Sequence, residues 1–352
     1  MKKRLLFILL PFFYLFPIMV LAESSYIVVD INSGRIIASQ NMYEKHLIAS
    51  TTKIMTCIEV LENTNIDKEI IVGEEVKSMY GTNIYIKDGE KMLIKDLLYG
   101  LMLRSGNDAA ITLAYQTLGE EKFLYEMNQK AQELGMKDTL FENPHGLDDK
   151  TQNYSTAYDM ALLGRYAYQN NIYREIISTK KYNAKSSLQS YTWINRMSLL
   201  SKYKYCLGGK NGYTPKAGKS LVSYAQKDNI TLMIVSLNDP NIYDTHQKLY
   251  EKYFSLYKDY TIIDSKTFFL ESTFTDGNLY TKKSFHYLLM KNEIDDITTL
   301  IELYPVTRDK KAGKIIIRLK EEIIGTVDIY KKEKEKKKEK SFFQKMKSLL
   351  IR

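Results

Sequence analysis

The chain has little cysteine, histidine and tryptophan: two, four and one in 352 residues. Two cysteines, Cys57 and Cys206, are too few for a disulfide framework. We expect free thiols, although a bridge between them stays open. The histidines are far apart and show no metal-ligand spacing. The sequence therefore predicts no metal site and no cofactor. Any catalytic chemistry would be carried out by hydroxyl, amine and amide groups.

The middle of the chain also lacks a strong charge of either sign. The formal net charge is +9, but the excess of basic residues lies at the two ends, and residues 23–330 are close to neutral. A near-neutral body argues against a nucleic-acid-binding face. Nucleic acid is therefore not an expected partner.

Residues 1–22 have the composition of a secretory signal peptide. Three basic residues precede an uncharged apolar run, which ends at Ala22, a small residue suited to cleavage. The run is also long enough for an uncleaved membrane anchor, and that alternative stays open. In both cases we expect the body of the protein outside the cytoplasm.

Residues 331–352 combine a charged run with an amphipathic segment. All ten residues of 331–340 are lysine or glutamate, as in solvated linkers. In 341–352 five apolar side chains share one face at helical spacing: Phe342, Phe343, Met346, Leu349 and Leu350. This predicts a basic linker and an amphipathic helix on a membrane surface; docking on a protein and a disordered end are the alternatives.

Hydrophobic periodicity predicts two domains between these ends. The predicted elements of 23–257 are a hairpin over 26–39, helices from Ser50, Leu93 and Asp108, a capped helix over 156–166 and a hairpin over 221–237. They indicate an α/β (α+β) domain in which one antiparallel sheet, made from both ends of the domain, carries packed helices. In 258–330 short β-rich runs dominate, at 260–263, 267–269, 285–290, 314–319 and 323–329. This predicts a small all-β domain that serves as a spacer or a protein-contact module.

A serine and a lysine stand three residues apart at the start of the first apolar helix. Ser50 and Lys53 would face one side of the first turn, as a nucleophile and its base. The same spacing recurs from Ser178 and from Ser201, so the pattern alone is weak. The alternative, a capping serine and a surface lysine, fits poorly because apolar residues follow directly.

Two further segments indicate a catalytic site only when they are taken together with the first motif and in this order. Ser105-Gly106-Asn107 alone reads as a loop between helices, and Lys210-Asn211-Gly212 reads as an ordinary edge strand. Together with the first motif they supply a second serine, an amide and a second lysine. These are the groups that amide bond cleavage through an acyl-enzyme requires.

The ordered set resembles the serine D-alanyl-D-alanine carboxypeptidases of the peptidase S11 type, the low-molecular-weight penicillin-binding proteins of the bacterial cell envelope. The resemblance runs from about Tyr26 to the C-terminus and is most specific over 48–56 and 96–110, while 141–147 and 155–160 match as structural turns and caps. It implies a penicillin-binding/β-lactamase-like transpeptidase domain, a C-terminal β domain and a membrane-anchoring tail. It also implies an extracytoplasmic protein on the outer face of the cytoplasmic membrane.

The resemblance implies roles for the motif residues. Ser50 attacks the carbonyl between two D-alanines of a peptidoglycan stem peptide, Lys53 acts as base, and Ser105 relays a proton to the leaving D-alanine. β-Lactam antibiotics would acylate the same serine. The substrate-binding residues implied are Asn107, Lys210, Asn211, Gly212, Tyr213, Thr214 and, with a one-residue gap, Arg196. The backbone N–H groups of Ser50 and Tyr213 would form the oxyanion hole.

One position departs from the family pattern, which usually has Lys-Thr-Gly where this chain has Lys210-Asn211-Gly212. The missing hydroxyl donates to the substrate carboxylate, and the Asn211 amide would replace it with a different reach. We therefore expect an active enzyme with an altered substrate and β-lactam preference. A catalytically weak penicillin-binding sensor is an alternative. A β-lactamase is another, although no Glu-x-x-Leu-Asn segment lies between the second and third motifs.

Overall fold

The computed structural model describes residues 24–272, 277–304 and 311–331. The predicted signal peptide and the predicted amphipathic helix lie outside these ranges. Within them, none of the helices has the length and apolar character needed to cross a membrane.

The described chain forms eighteen strands and eight α-helices. The strands are β1 Ser25–Asp30, β2 Ile36–Gln40, β3 His46–Leu47, β4 Glu69–Ile71, β5 Lys91–Leu93, β6 Tyr154–Ser155, β7 Lys181–Lys185, β8 Ser190–Ile194, β9 Cys206–Thr214, β10 Gly218–Lys227, β11 Ile230–Leu237, β12 Tyr257–Ile263, β13 Leu270–Ser272, β14 Gly277–Thr281, β15 Phe285–Met290, β16 Ile297–Leu303, β17 Lys311–Leu319 and β18 Glu322–Lys331. The helices are α1 Lys53–Asn63, α2 Ile94–Tyr99, α3 Asn107–Thr117, α4 Glu120–Glu133, α5 Ala157–Tyr168, α6 Asn171–Ser178, α7 Leu199–Lys202 and α8 Ile242–Leu256.

A five-stranded antiparallel sheet in the order β2-β1-β11-β10-β9 supports the first domain. Both predicted hairpins are confirmed, as β1–β2 and β10–β11. All eight residues of β11 are buried, because helices cover both faces of the sheet. On β10, Val222 and Tyr224 pack on the α1/α5 side, whereas Leu221 and Ala225 pack towards α8. β9 is left as the free edge of this sheet, and it carries the third motif.

The predicted helices are present, with informative differences at their ends. A 3-10 turn over Ala49–Thr52 precedes α1, so Ser50 lies on a tight turn and Lys53 begins the α-helix. The second helix starts at Ile94 and ends as a π-helical turn, Gly100–Arg104. Thr156 accepts a hydrogen bond from the Asp159 N–H at 3.0 Å, which confirms the predicted cap of α5.

Among the described residues from Tyr257 to Lys331, the regular structure is β-strand except for one 3-10 turn, Lys291–Asp296. A second antiparallel sheet has the order β13-β14-β18-β17-β16, and β12 pairs with β15. The strand predicted at 267–269 is wrong, because Thr267 ends a turn and residues 268–269 lie outside any strand before β13. The strand β16 was not predicted from the sequence. Its residues do not alternate between buried and exposed, so its sequence lacks the usual strand pattern.

One arginine joins the β1–β2 hairpin to the β12–β15 pair. The Arg35 guanidinium donates to the Leu288 carbonyl and to Glu293, both at 2.5 Å. It also lies 5.3 Å from the ring centres of Tyr257 and Tyr287. Charge-assisted hydrogen bonds and cation–π contacts therefore fix this connection together.

Candidate active site

The amine of Lys53 occupies the centre of the candidate site. Its Nζ lies 3.0 Å from Ser50 Oγ, 2.8 Å from Asn107 Oδ1 and 2.5 Å from the His145 carbonyl oxygen. The side chain is fully buried. Burial, followed by repulsion from the Lys210 ammonium, lowers the pKa of Lys53 well below its usual value. The lowered pKa favours the neutral form of the amine that lies beside the serine hydroxyl.

A second serine and lysine pair lies next to the first. Lys210 Nζ is 3.1 Å from Ser105 Oγ and 2.6 Å from the Asn211 carbonyl oxygen. Burial, and then the charge of Arg196, lowers the pKa of Lys210 to about 7. Because the field of Lys210 reaches Lys53, the two amines titrate as an interacting pair.

Unusual backbone geometry brings the two serines together. Ala49, directly before the nucleophile, has a φ of +46°, and Ser105 has a φ of +64°. Left-handed backbone at non-glycine residues costs free energy and persists where surrounding contacts hold it. On β9, a side chain at Gly212 would place its Cβ 2.8 Å from Ser50 N. The glycine therefore lets the β9 edge pass directly beside the nucleophile.

The loop before β6 supplies a group that sequence reasoning missed. The His145 carbonyl that binds the Lys53 amine is held by a tight turn, in which Asn143 Oδ1 accepts from the N–H groups of His145 and Gly146. The matching sequence segment was interpreted as a structural turn. A backbone carbonyl leaves no residue-type signal, so only the turn itself could be predicted.

The side chain of Asn107 already makes two hydrogen bonds within the protein, which the sequence did not indicate. Its side-chain oxygen holds the Lys53 amine, and its Nδ2 donates to the Tyr80 carbonyl at 2.8 Å. Nδ2 carries two hydrogens, so one stays available to a ligand. The next residue, Asp108, accepts from the N–H groups of Ile84, Tyr85 and Ile86, and so ties the loop beside Asn107 to α3.

The remaining predicted residues lie at the rim. Arg196 is exposed, and its guanidinium contacts Thr82 Oγ1 at 3.4 Å. Its charge is close enough to Lys210 to contribute to the lowered pKa of that lysine. Because side chains alternate along a strand, Asn211 and Tyr213 project from the face of β9 opposite to Lys210 and Gly212. Tyr213 is 63% exposed.

The hydroxyl of Thr214 is hydrogen-bonded within the protein. It donates to Asp148 and accepts from the Ala217 N–H at 3.0 Å. The only proton of that hydroxyl is therefore used within the protein. Thr214 can form the wall of a pocket, but its hydroxyl is not free to donate to a ligand.

The structure distinguishes the three Ser-x-x-Lys matches. Lys181 and Lys204, the lysines paired with Ser178 and Ser201, are exposed, whereas Lys53 is buried. In the described ranges no group of side chains could hold a metal ion, and Cys57 and Cys206 are free thiols. The contacts of Lys53 with Ser50 and of Lys210 with Ser105 suit the site to activate a serine and to stabilise negative charge.

An antiparallel sheet flanked by helices, with a Ser–Lys pair at its edge strand, defines a penicillin-binding-protein-like α+β fold. The family model described as D-alanyl-D-alanine carboxypeptidase, Peptidase S11, matches residues 18–241. The chain belongs to this family, which confirms the resemblance identified from the motifs.

Relatives agree with this assignment. The chain is 28% identical over 339 residues to D-alanyl-D-alanine carboxypeptidase DacF of Bacillus subtilis, covering 89% of this chain and 86% of the relative. It is 35% identical over 228 residues to DacC of Escherichia coli, covering 60% and 56%. Penicillin-binding protein 5 of Haemophilus influenzae has the same fold, with a TM-score of 0.70 at 24% identity over 87% of this chain and 95% of that one.

The position of the His145 carbonyl generates a prediction at Gly146. This glycine has a φ of +89°, and a Cβ there would lie 1.9 Å from the Ala49 carbonyl oxygen. Gly146→Ala should therefore lower the free energy of unfolding, measured in urea, by more than the ~1–2 kcal/mol that a left-handed alanine alone costs.

Gly135→Ala is the matched control, because Gly135 has a φ of +77° but open space around its missing Cβ. This variant should lose only the conformational cost. Equal losses in the two variants would mean that the contact with Ala49 does not constrain the loop.

Proposed function

We propose that this protein is a serine-type D-alanyl-D-alanine carboxypeptidase, a hydrolase that removes the terminal D-alanine from peptidoglycan stem peptides through an acyl-enzyme on Ser50. The observation that carries the proposal is the contact of the buried, pKa-lowered Lys53 amine with Ser50 Oγ at 3.0 Å. Family membership supports the reaction class. Binding of β-lactams at the same serine follows from this proposal.

The first step is attack by Ser50. A neutral Lys53 amine has two N–H donors and one lone pair. Asn107 Oδ1 and the His145 carbonyl accept the two N–H groups, so the lone pair is directed at the serine hydroxyl. As the Oγ–C bond forms, the serine proton moves to Nζ. The N–H groups of Ser50 and Tyr213 are the proposed donors to the oxyanion.

The second pair completes the reaction. When the C–N bond breaks, the proton that Lys53 accepted passes to the leaving D-alanine nitrogen, with Ser105, whose hydroxyl contacts Lys210, as the proposed relay, and Lys53 is neutral again. Water then attacks the ester, Ser50 Oγ leaves, and the shortened peptide is released. This part of the cycle uses Lys53 as base again.

The substrate ends in a carboxylate, and the site offers positive charge to bind it. Lys210 and Arg196 supply the charge, and Asn211, whose side chain leaves the opposite face of β9, is the proposed amide donor to the same carboxylate from across the strand edge. The free hydrogen of Asn107 Nδ2 would donate to the peptide carbonyl. Gly212 and Thr214 shape the strand edge and the pocket wall rather than bind charge.

The surrounding chain completes the proposal. Residues 1–22 would direct export, 23–257 would form the catalytic domain and 258–330 the β-rich domain. Residues 331–352 would place the enzyme at the outer face of the cytoplasmic membrane. The basic and amphipathic composition of this last segment supports the proposal.

The deciding experiment measures D-alanine release from a diacetyl-Lys-D-Ala-D-Ala peptide by the purified chain. We expect release by the parent and none above background by Ser50→Ala. A parent that releases no D-alanine but stays labelled by a fluorescent penicillin at Ser50 would instead be the sensor. Rapid loss of that label with hydrolysed penicillin, without peptide cleavage, would indicate a β-lactamase.

The asparagine in the third motif generates a second prediction. If Asn211 substitutes imperfectly for a hydroxyl donor to the substrate carboxylate, Asn211→Thr should raise kcat/KM for the peptide. The limit is the value of one hydrogen bond to a charged group, about 1.5–3 kcal/mol, or one to two decades. The control is Asn211→Ala, which should not gain. Unchanged acylation and turnover in Asn211→Thr would refute this role.

The interacting amines generate a pH prediction. The free enzyme needs Lys53 neutral and Lys210 protonated. kcat/KM should therefore rise with pH as Lys53 loses its proton, and fall as Lys210 loses its proton at a pKa of about 7.

The charge of Arg196 lowers the pKa of Lys210. Arg196→Gln should therefore raise that pKa and move the alkaline limb of the profile to higher pH, whatever its effect on the maximum. Arg104→Gln, which removes a nearby charge that does not shift Lys210, is the control. An alkaline limb that stays in place in Arg196→Gln would exclude Lys210 as the group responsible.

A further inference from the structure

Most residues of the strand β16 are exposed to solvent. It forms one edge of the C-terminal sheet. The five residues from Thr298 to Glu302 are all exposed, so residues on both faces of the strand are accessible along its middle. Two of them are large apolar residues, Leu300 at 56% and Ile301 at 39% exposure.

Natural edge strands are usually protected from pairing with other chains by short length, bulges, lysine or proline. β16 has none of these devices. Its sequence, Ile-Thr-Thr-Leu-Ile-Glu-Leu, has one charged residue and no proline or lysine. Its pairing with β17 runs over seven residues without a register shift. The opposite edge of the same sheet, β13, is only three residues long.

The hydrogen-bond alternation shows which backbone groups face outward. Lys320 N donates to the Asp296 carbonyl and Tyr304 N to the Ala312 carbonyl, both at 2.9 Å. In an antiparallel ladder every second residue bonds to the same neighbour. The even-numbered residues of β16 therefore bond inward to β17. The odd-numbered ones, 297, 299, 301 and 303, direct their N–H and C=O groups outward, where the described residues place no further strand.

We infer that β16 is a self-association edge, on which two copies of this chain pair antiparallel about a two-fold axis at Leu300. This register pairs all seven residues of one β16 with all seven of the other. It opposes Thr299 to Ile301, both outward-facing, so their backbone groups bond to each other. It opposes Glu302 to Thr298, so no like charges meet.

The contact would be reversible. One pair of seven-residue strands is smaller than the interfaces of permanent dimers. The dimer should therefore form and dissociate with protein concentration, and it would be favoured wherever the chain is concentrated. The occupant is a second copy because the strand can pair with itself over all seven residues, with its outward N–H and C=O groups opposed and with Glu302, its one charged residue, opposite a neutral threonine.

Two substitutions at one position test the register. In the monomer Thr298 lies opposite Arg318, and in the dimer it lies opposite Glu302 of the other copy. Thr298→Glu should stabilise the monomer through Arg318 but weaken the dimer through Glu302 of the other copy. Thr298→Lys should destabilise the monomer and strengthen the dimer. The dimer dissociation constants of the full chain in mild detergent, from sedimentation equilibrium, should differ about tenfold, since each dimer contains two such pairs. Equal constants, or the opposite order, would overturn the proposal.

A cross-linking test is independent of affinity. In this register the two Leu300 residues face each other as a non-hydrogen-bonded pair, with Cα atoms about 4.5 Å apart, which suits a disulfide. Leu300→Cys should form a covalent dimer on mild oxidation. Thr298→Cys should not, because its two copies would lie about 13 Å apart along the strand. A parent that stays monomeric at all concentrations, or equal cross-linking at both positions, would refute the two-fold contact at β16.

Discussion

Burial of the Lys53 amine is the constraint on which the rest of the site depends. An ammonium group is costly to remove from water, so the buried group favours its neutral form. Neutrality in turn limits the amine to two donated hydrogen bonds and one accepted bond. The two carbonyl oxygens of Asn107 and His145 use both donors, and this leaves a single direction for the lone pair. The position of Ser50 is thus coupled to two loops that are distant in sequence.

Each of those loops is held by features that otherwise look unrelated to catalysis. The Asn143 turn sets the His145 carbonyl, and the glycine after it lies against the backbone of Ala49. Asp108 collects backbone N–H groups of residues 84–86 on the other side. A buried carboxylate stripped of these donors would be unfavourable, so the loop and α3 stabilise each other. The amine is therefore positioned by backbone groups, which side-chain chemistry alone does not reveal.

Features that side-chain patterns specify could be predicted from the sequence, whereas features that backbone groups specify could not. Hairpins and helices with clear periodicity were predictable because side-chain patterns specify them, as was the serine–lysine pair. The His145 carbonyl was not predictable, since any residue supplies one. The bond from the Thr214 hydroxyl to Asp148 was not predictable either, because no sequence pattern links the two residues. β16 was missed because it is exposed on both faces and shows no alternation.

The charge balance of the site explains why an anionic substrate end would complete it. Lys53, Lys210 and Arg196 act on one region, and in the described ranges none of them lies within 4 Å of a carboxylate. Burial, followed by repulsion from Lys210 on Lys53 and from Arg196 on Lys210, lowers the pKa of both lysines. A carboxylate bound between Lys210 and Arg196 would favour the charged form of Lys210. That charge would in turn keep Lys53 neutral, so binding of the substrate end would itself maintain the base in the form that acylation requires.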